Sequence, residues 1–178
     1  MKKTLILVML IVFTAAFTLN LSADEGKKMN VFGGLGFALA DFEGLFFDIG
    51  AEMQITSHIY GQLLFDYYFS PNPDGIEGVN DSAYGINLYA VYKHKSSDTL
   101  NIFAKAGVHY TTVKASASGA GYSISVTSSD FGIAGGGGIE YVLNDKLALM
   151  FGGTLKLIFA EDTGTWFKIY GGISYRVK

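Results

Sequence analysis

The stretch Leu45-Phe46-Phe47-Asp48-Ile49-Gly50-Ala51-Glu52-Met53-Gln54-Ile55 alternates residue by residue. Leu45, Phe47, Ile49, Ala51, Met53 and Ile55 share one side; Phe46, Asp48, Gly50, Glu52 and Gln54 share the other. A period of two belongs to a strand, because successive side chains of an extended backbone point to opposite faces. Both charges lie on one face and none on the other. Working outward, the same pattern recurs and predicts strands near 30–40, 45–55, 59–69, 84–93, 100–113, 130–143, 147–158 and 166–177. In each of them the apolar face is free of charge.

Composition agrees with a strand-rich, tightly turning chain: 23 Gly, 11 Tyr, 14 Phe and only 2 Pro in 178 residues. Cysteine is absent, which excludes disulfides, thiolate chemistry and cysteine-bound zinc. The formal charge of −3 gives no reason to expect nucleic acid as a partner. Residues 1–23 have the parts of a secretory signal: basic Lys2 and Lys3, an apolar run from Leu5 to about Leu21, and a small-residue exit at Ser22-Ala23. The sequence therefore predicts a cleavable signal peptide over 1–23, a short polar lead-in over 24–29, and one β-domain over 30–178.

Strands of about ten residues suit a tilted bilayer crossing. The expected architecture is all-β, an eight-stranded antiparallel up-and-down transmembrane β-barrel. Short returns at Ser57, Lys95 and Asp145 are expected at the periplasmic end, with the connections near Glu43, Asp74, Gly119 and Asp162 outside. The Ser-, Ala- and Gly-rich segment 114–129 is read as a long outer loop, although Tyr122, Ile124 and Val126 still alternate within it. Outward aromatics then form two girdles: Tyr92, Tyr141 and Tyr175 below, and Tyr67, Phe69, Tyr84, Tyr110, Phe131 and Phe167 above. A secreted lipocalin-like binding protein is the alternative eight-stranded fold. Its polarity is the reverse, with an apolar cavity and a polar exterior.

Architecture and the last strand together make the chain resemble the small outer-membrane β-barrel family, which includes opacity-type adhesins, outer membrane protein X and the transmembrane domain of outer membrane protein A. Gly172, Tyr175 and Val177 resemble the terminal signal read by the barrel assembly machinery, although this chain ends on Val177-Lys178 where the family usually ends on an aromatic residue. The resemblance implies the outer membrane as location. It also implies outer-membrane lipid and lipopolysaccharide as surroundings, the assembly machinery as a partner, and a host or phage surface protein as a contact for the loops.

An eight-stranded barrel is narrow enough to be filled by its own side chains. Asp48, Glu52, Asp66, Lys105, His109, Glu140, Lys156, Lys168 and Arg176 are the expected lumen charges, pairing into a layered plug that locks strand register. The rival expectation is a narrow ion or small-solute channel gated by those charges, with Lys105 between two carboxylates. Nothing points to an enzyme or a cofactor. His109 is the one histidine within a strand, and no Lys-Ser or Lys-Thr follows Gly135–Gly138 to make a phosphate loop. Asp41, Glu43, Asp74, Glu77, Asp81, Glu161 and Asp162 give an acidic outer rim without the spacing of a metal loop.

Overall fold

The computed structural model describes residues 28–40, 43–69, 79–119, 122–159 and 164–177. The expected signal peptide and most of the lead-in lie outside them, as do Asp41, Asp74, Glu77, Glu161 and Asp162 of the acidic rim. Eight strands follow in chain order: β1 (Met29–Ala40), β2 (Gly44–Gln54), β3 (Ile59–Phe69), β4 (Val79–Lys95), β5 (Leu100–Gly119), β6 (Tyr122–Val142), β7 (Leu147–Ile158) and β8 (Gly164–Arg176). Each pairs antiparallel with the next, and β1 pairs with β8, so the sheet closes on itself.

Within the closed wall each strand has a paired strand on both sides, the condition a lipid-embedded β-structure must meet. The outward set Leu35, Leu45, Ile49, Leu88, Ile133, Phe151, Ile169 and Ile173 is exposed, while the residues between are buried in the lumen. This polarity is the opposite of a lipocalin's. Phe65 is an instructive exception: it has outward parity on β3 yet is buried, with the Phe47 ring 6.4 Å away on β2.

The lower returns are tight and locally bonded. Asn144 Oδ1 accepts from the amides of Lys146 and Leu147, both at 3.0 Å, which fixes the β6–β7 turn. Thr56 Oγ1 accepts from the Ile59 amide at 3.1 Å in the β2–β3 turn.

The segment 114–129, expected as a loop, is instead the far end of a hairpin. β5 and β6 stay in register from Lys114↔Thr127 to Gly119↔Tyr122, and β4 joins them through Val79↔Ala117. The small polar composition suggested a loop; the surviving alternation of Tyr122, Ile124 and Val126 marks the strand that forms. Because β3 stops at Phe69↔Ser82 and β7 at Gly132↔Ile158, the ends of β4, β5 and β6 project as a three-stranded ribbon above the closed wall.

Candidate functional site

Inward parity alone brings the charged side chains into the lumen, and the register of the closed sheet sorts them into layers. Near the turn end, β2, β4 and β6 contribute Glu52, Lys93 and Glu140. The Lys93 ammonium donates to Glu52 Oε1 and, at 2.7 Å, to Glu140 Oε2. Asn30 Nδ2 donates to Glu52 at 2.7 Å, and Asn101 Nδ2 to Glu140 at 2.8 Å. The Tyr60 ring lies 4.9 Å from the same ammonium. Each carboxylate therefore has a cation and an amide, as charges taken from water require.

Near the opposite end, Asp66 on β3 is fully buried and gathers two lysines. Its Oδ2 accepts from Lys156 Nζ of β7 at 2.7 Å, from Lys168 Nζ of β8 at 2.9 Å and from the Tyr68 hydroxyl at 3.1 Å. Lys168 lies 4.1 Å from the Phe46 ring centre, and Trp166 meets the Tyr68 ring edge-on at 5.0 Å. Above the carboxylate, aromatic rings thus cover the charges.

Between the layers, Lys105 forms no ion pair among the described residues. Its ammonium lies 4.9 Å from the Tyr89 ring centre and 4.7 Å from that of Tyr170, a cation held by two aromatic faces. The expected place between two carboxylates belongs to Lys93 instead, because Lys93 lies in the layer of Glu52 and Glu140 while Lys105 lies above it. Asp48 is buried and, among the described residues, forms no ion pair. Among the described residues, Gln62 Oε1, Asp66 Oδ1, Thr154 Oγ1 and Tyr170 OH are buried without a hydrogen-bond partner.

His109 is buried with both ring nitrogens occupied. Nε2 faces the Leu157 carbonyl at 3.3 Å, and Nδ1 lies 2.9 Å from Thr111 Oγ1. A neutral imidazole satisfies both contacts, donating to the carbonyl and accepting from the hydroxyl. Arg176 reaches the turn, not the lumen centre: Nη1 donates to the Asp145 carbonyl at 2.9 Å, and the side chain is half-exposed.

Glycines make this filling possible. Phe46 packs where a side chain at Gly36 would stand, Phe103 where one at Gly138 would stand, and Tyr170 where one at Gly152 would stand. The Gly135–Gly138 run thereby has a packing role. Its inward members, Gly136 and Gly138, leave space on the lumen side.

On the outer surface the nine aromatics fall at the two ends. Tyr92, Tyr141 and Tyr175 lie beside the turns, and Tyr92 stacks 6.0 Å from His58. Tyr67, Phe69, Tyr84, Tyr110, Phe131 and Phe167 lie at the opposite end. Tyr110 meets Phe131 at 4.9 Å, and Tyr67 meets Phe69 at 5.0 Å.

Lys93 and Asn30 are the lumen residues that sequence reasoning missed. Lys93 ends the fourth expected strand and shares parity with Asn87, which was enough to place it inside. Its two carboxylates lie on β2 and β6, so the pairing itself is visible only once the sheet closes. Among the described residues no group of three metal-ligating side chains comes together.

Residues 5–176 match the family described as the outer membrane protein beta-barrel domain. No curated protein matches the chain. Among solved structures, a major outer membrane protein from Thermus thermophilus superposes with a TM-score of 0.67 at 14% identity, covering 85% of this chain and 100% of that one. Neisserial surface protein A gives 0.63 at 14% identity, covering 85% and 97%. Ail, the attachment invasion locus protein of Yersinia pestis, gives 0.56 at 11% identity, covering 84% and 97%. With the family match over nearly the whole length, the chain belongs to the outer membrane β-barrel family and resides in the outer membrane.

Proposed function

We propose that the protein is a plugged outer-membrane barrel whose role is structural and surface-interactive, with the lumen locking strand register and the outer end meeting other molecules. The observation that carries the first half is the pair of ionic layers. Lys93 bridges β2 and β6 through β4, and Asp66 ties β3 to both β7 and β8. Sliding any of these strands by one residue would turn its charge into lipid, at about 2–4 kcal/mol for a lysine near the bilayer midplane. The second half rests on the ribbon, which extends beyond the wall with no barrel role of its own.

Ail has been seen in complex with the heparin analogue sucrose octasulfate. This chain's outer connections carry Asp41, Glu43, Asp74, Glu77, Glu161 and Asp162, which repel a polyanion and favour cations or a basic partner. The aromatic belts and the hydroxyl-rich ribbon base suit contact with lipopolysaccharide at the same level.

A narrow channel is the second reading. It is favoured by the unpartnered buried atoms Gln62 Oε1, Thr154 Oγ1 and Tyr170 OH, which leave groups for water to bond between the layers. Planar-bilayer recording separates the two readings. The plug gives no discrete conductance, whereas a stable step altered by Lys105→Met supports the channel. Removing the ribbon beyond Lys114 and Thr127 should leave folding intact and reduce binding of whole cells to surfaces; unchanged binding would refute the surface role.

A further inference from the structure

Arg176 is the only arginine among the 13 basic residues of the chain. It ends β8 with inward parity, and its guanidinium is held in one orientation by Nη1, which donates to the Asp145 carbonyl at 2.9 Å. Its Nε is buried and has no hydrogen-bond partner among the described residues. Buried donors are normally paired, so this one marks a place where an acceptor belongs. Nε and Nη2 form the edge left open by the Nη1 bond, and such an edge can donate to both oxygens of one carboxylate.

The same guanidinium lines a pocket at the turn end of the barrel, between the β6–β7 turn and the end of β8. Several acceptors around it are engaged. Glu140 accepts from Lys93 and Asn101, Asn144 Oδ1 accepts from the Lys146 and Leu147 amides, and the Asp145 carbonyl accepts from Arg176 itself. The cations are not engaged: neither Arg176 nor Lys146, which also lines the pocket, forms an ion pair among the described residues. Two unpaired cations beside occupied acceptors favour an anion. The space is about 20 Å³, room for one small head group and not for a ring. Val142, Leu147 and Ala148 supply an apolar stretch of wall. Tyr141 and Tyr175 are exposed on the lipid side, whereas Ala148 and Ser174 of the pocket are buried on the lumen side. A phospholipid head group therefore meets the other face of this wall.

We propose that the pocket binds the free C-terminal carboxylate of a peptide on the turn side of the membrane. Arg176 pairs with both carboxylate oxygens, Lys146 adds charge at the rim, and a small last side chain rests on Val142, Leu147 and Ala148. A lysine offers a point charge without the fork, and every other basic residue of this chain is a lysine. The site lies at the end opposite the ribbon, so it stands or falls apart from the surface-interaction reading.

The protein refolded in lipid nanodiscs has a single arginine Nε–H resonance, which reports this contact alone. Titration with acetyl-Ala-Ala should displace it, and the C-terminal amide of the same peptide should bind at least about tenfold more weakly. Acetyl-Ala-Trp, with a last side chain too large for the apolar wall, should also lose at least about tenfold. Arg176→Lys keeps the charge and removes the fork; followed at the Ser174 amide, it should weaken binding at least about tenfold. Ala148→Leu fills the pocket without altering a charge and should abolish the Nε–H displacement. Heat-modifiable gel mobility shows that both variants are folded. Equal binding of the acid and the amide, or parental binding by either variant, would overturn the proposal. So would displacement of the peptide by an equal concentration of inorganic phosphate, which would leave a site for any anion.

Discussion

Lys156 and Asp66 stand 90 positions apart in the chain and 2.7 Å apart across the lumen. Lys168 reaches the same oxygen from the adjacent strand, so one carboxylate holds two ammonium groups in a region closed to solvent. Replacing Asp66 by Ala leaves both lysines buried without their counter-charge. The variant should lose about 3–5 kcal/mol of folding stability, read by urea titration in detergent or liposomes. Replacing Asp66, Lys156 and Lys168 together by Met should restore most of that loss, since buried ionic groups exchanged for apolar ones of similar volume are often neutral. A triple variant no more stable than Asp66→Ala would contradict this assignment of the cost.

The two ionic layers should behave independently. Tyr92, next to Lys93, is paired with Ile59, whereas Asp66 lies seven residues further along β3, about 20 Å at strand rise. Stability losses of Lys93→Met and Asp66→Asn should add within about 0.5 kcal/mol. Lys93→Met and Glu52→Gln, which share a bond, should show coupling of about 0.5–3 kcal/mol in a double-variant cycle.

Nearby glycines of one run should respond oppositely. A methyl at Gly138 meets the Phe103 ring and the Phe151 backbone, whereas at Gly135 the nearest heavy atom is the Lys105 carbonyl oxygen at 3.7 Å. Gly138→Ala should destabilise by about 1–3 kcal/mol through overpacking. Gly135→Ala faces outward and should be neutral or stabilise by up to about 1 kcal/mol. The same urea titration distinguishes them.

The exposed turn pair Lys95–Asp98 has Nζ 2.7 Å from Oδ1. The hydrogen bond and charge of Lys95 hold the Asp98 carboxyl below its usual value of 3.8. Because the folded value is the lower one, the pair's contribution is present above the ordinary carboxylate value and fades as pH falls through the depressed one. An NMR titration should show this downward displacement, and Lys95→Ala should return Asp98 to the ordinary value with little change in stability.

Parity was the legible part of this molecule. Leu45–Ile55 alone assigns Asp48 and Glu52 to one face and Phe47 and Ile49 to the other, and a face free of charge identifies the side turned to lipid. Two kinds of information were not local. Partner choice depends on closure: Lys93 finds Glu52 and Glu140 because β2, β4 and β6 are brought round one narrow lumen, and no spacing in the sequence encodes it. Strand length at the outer end was obscured because Ser, Ala and Gly in 114–129 lack the apolar signal that lipid demands elsewhere. That segment keeps its backbone pairing beyond the ends of β3 and β7, so composition indicated a loop while the hairpin register continued to Gly119↔Tyr122.

The inside-out polarity of the barrel is tested most directly by nitroxide labels on single-cysteine variants in lipid vesicles. Labels at Leu35, Leu88 and Ile169, all exposed on the outer face, should collide freely with oxygen and weakly with a water-soluble nickel chelate; labels at Ser125 and Thr127 on the ribbon should show the reverse. Strong collision with the chelate at Leu35, Leu88 and Ile169 would mean that water, not hydrocarbon, surrounds the wall.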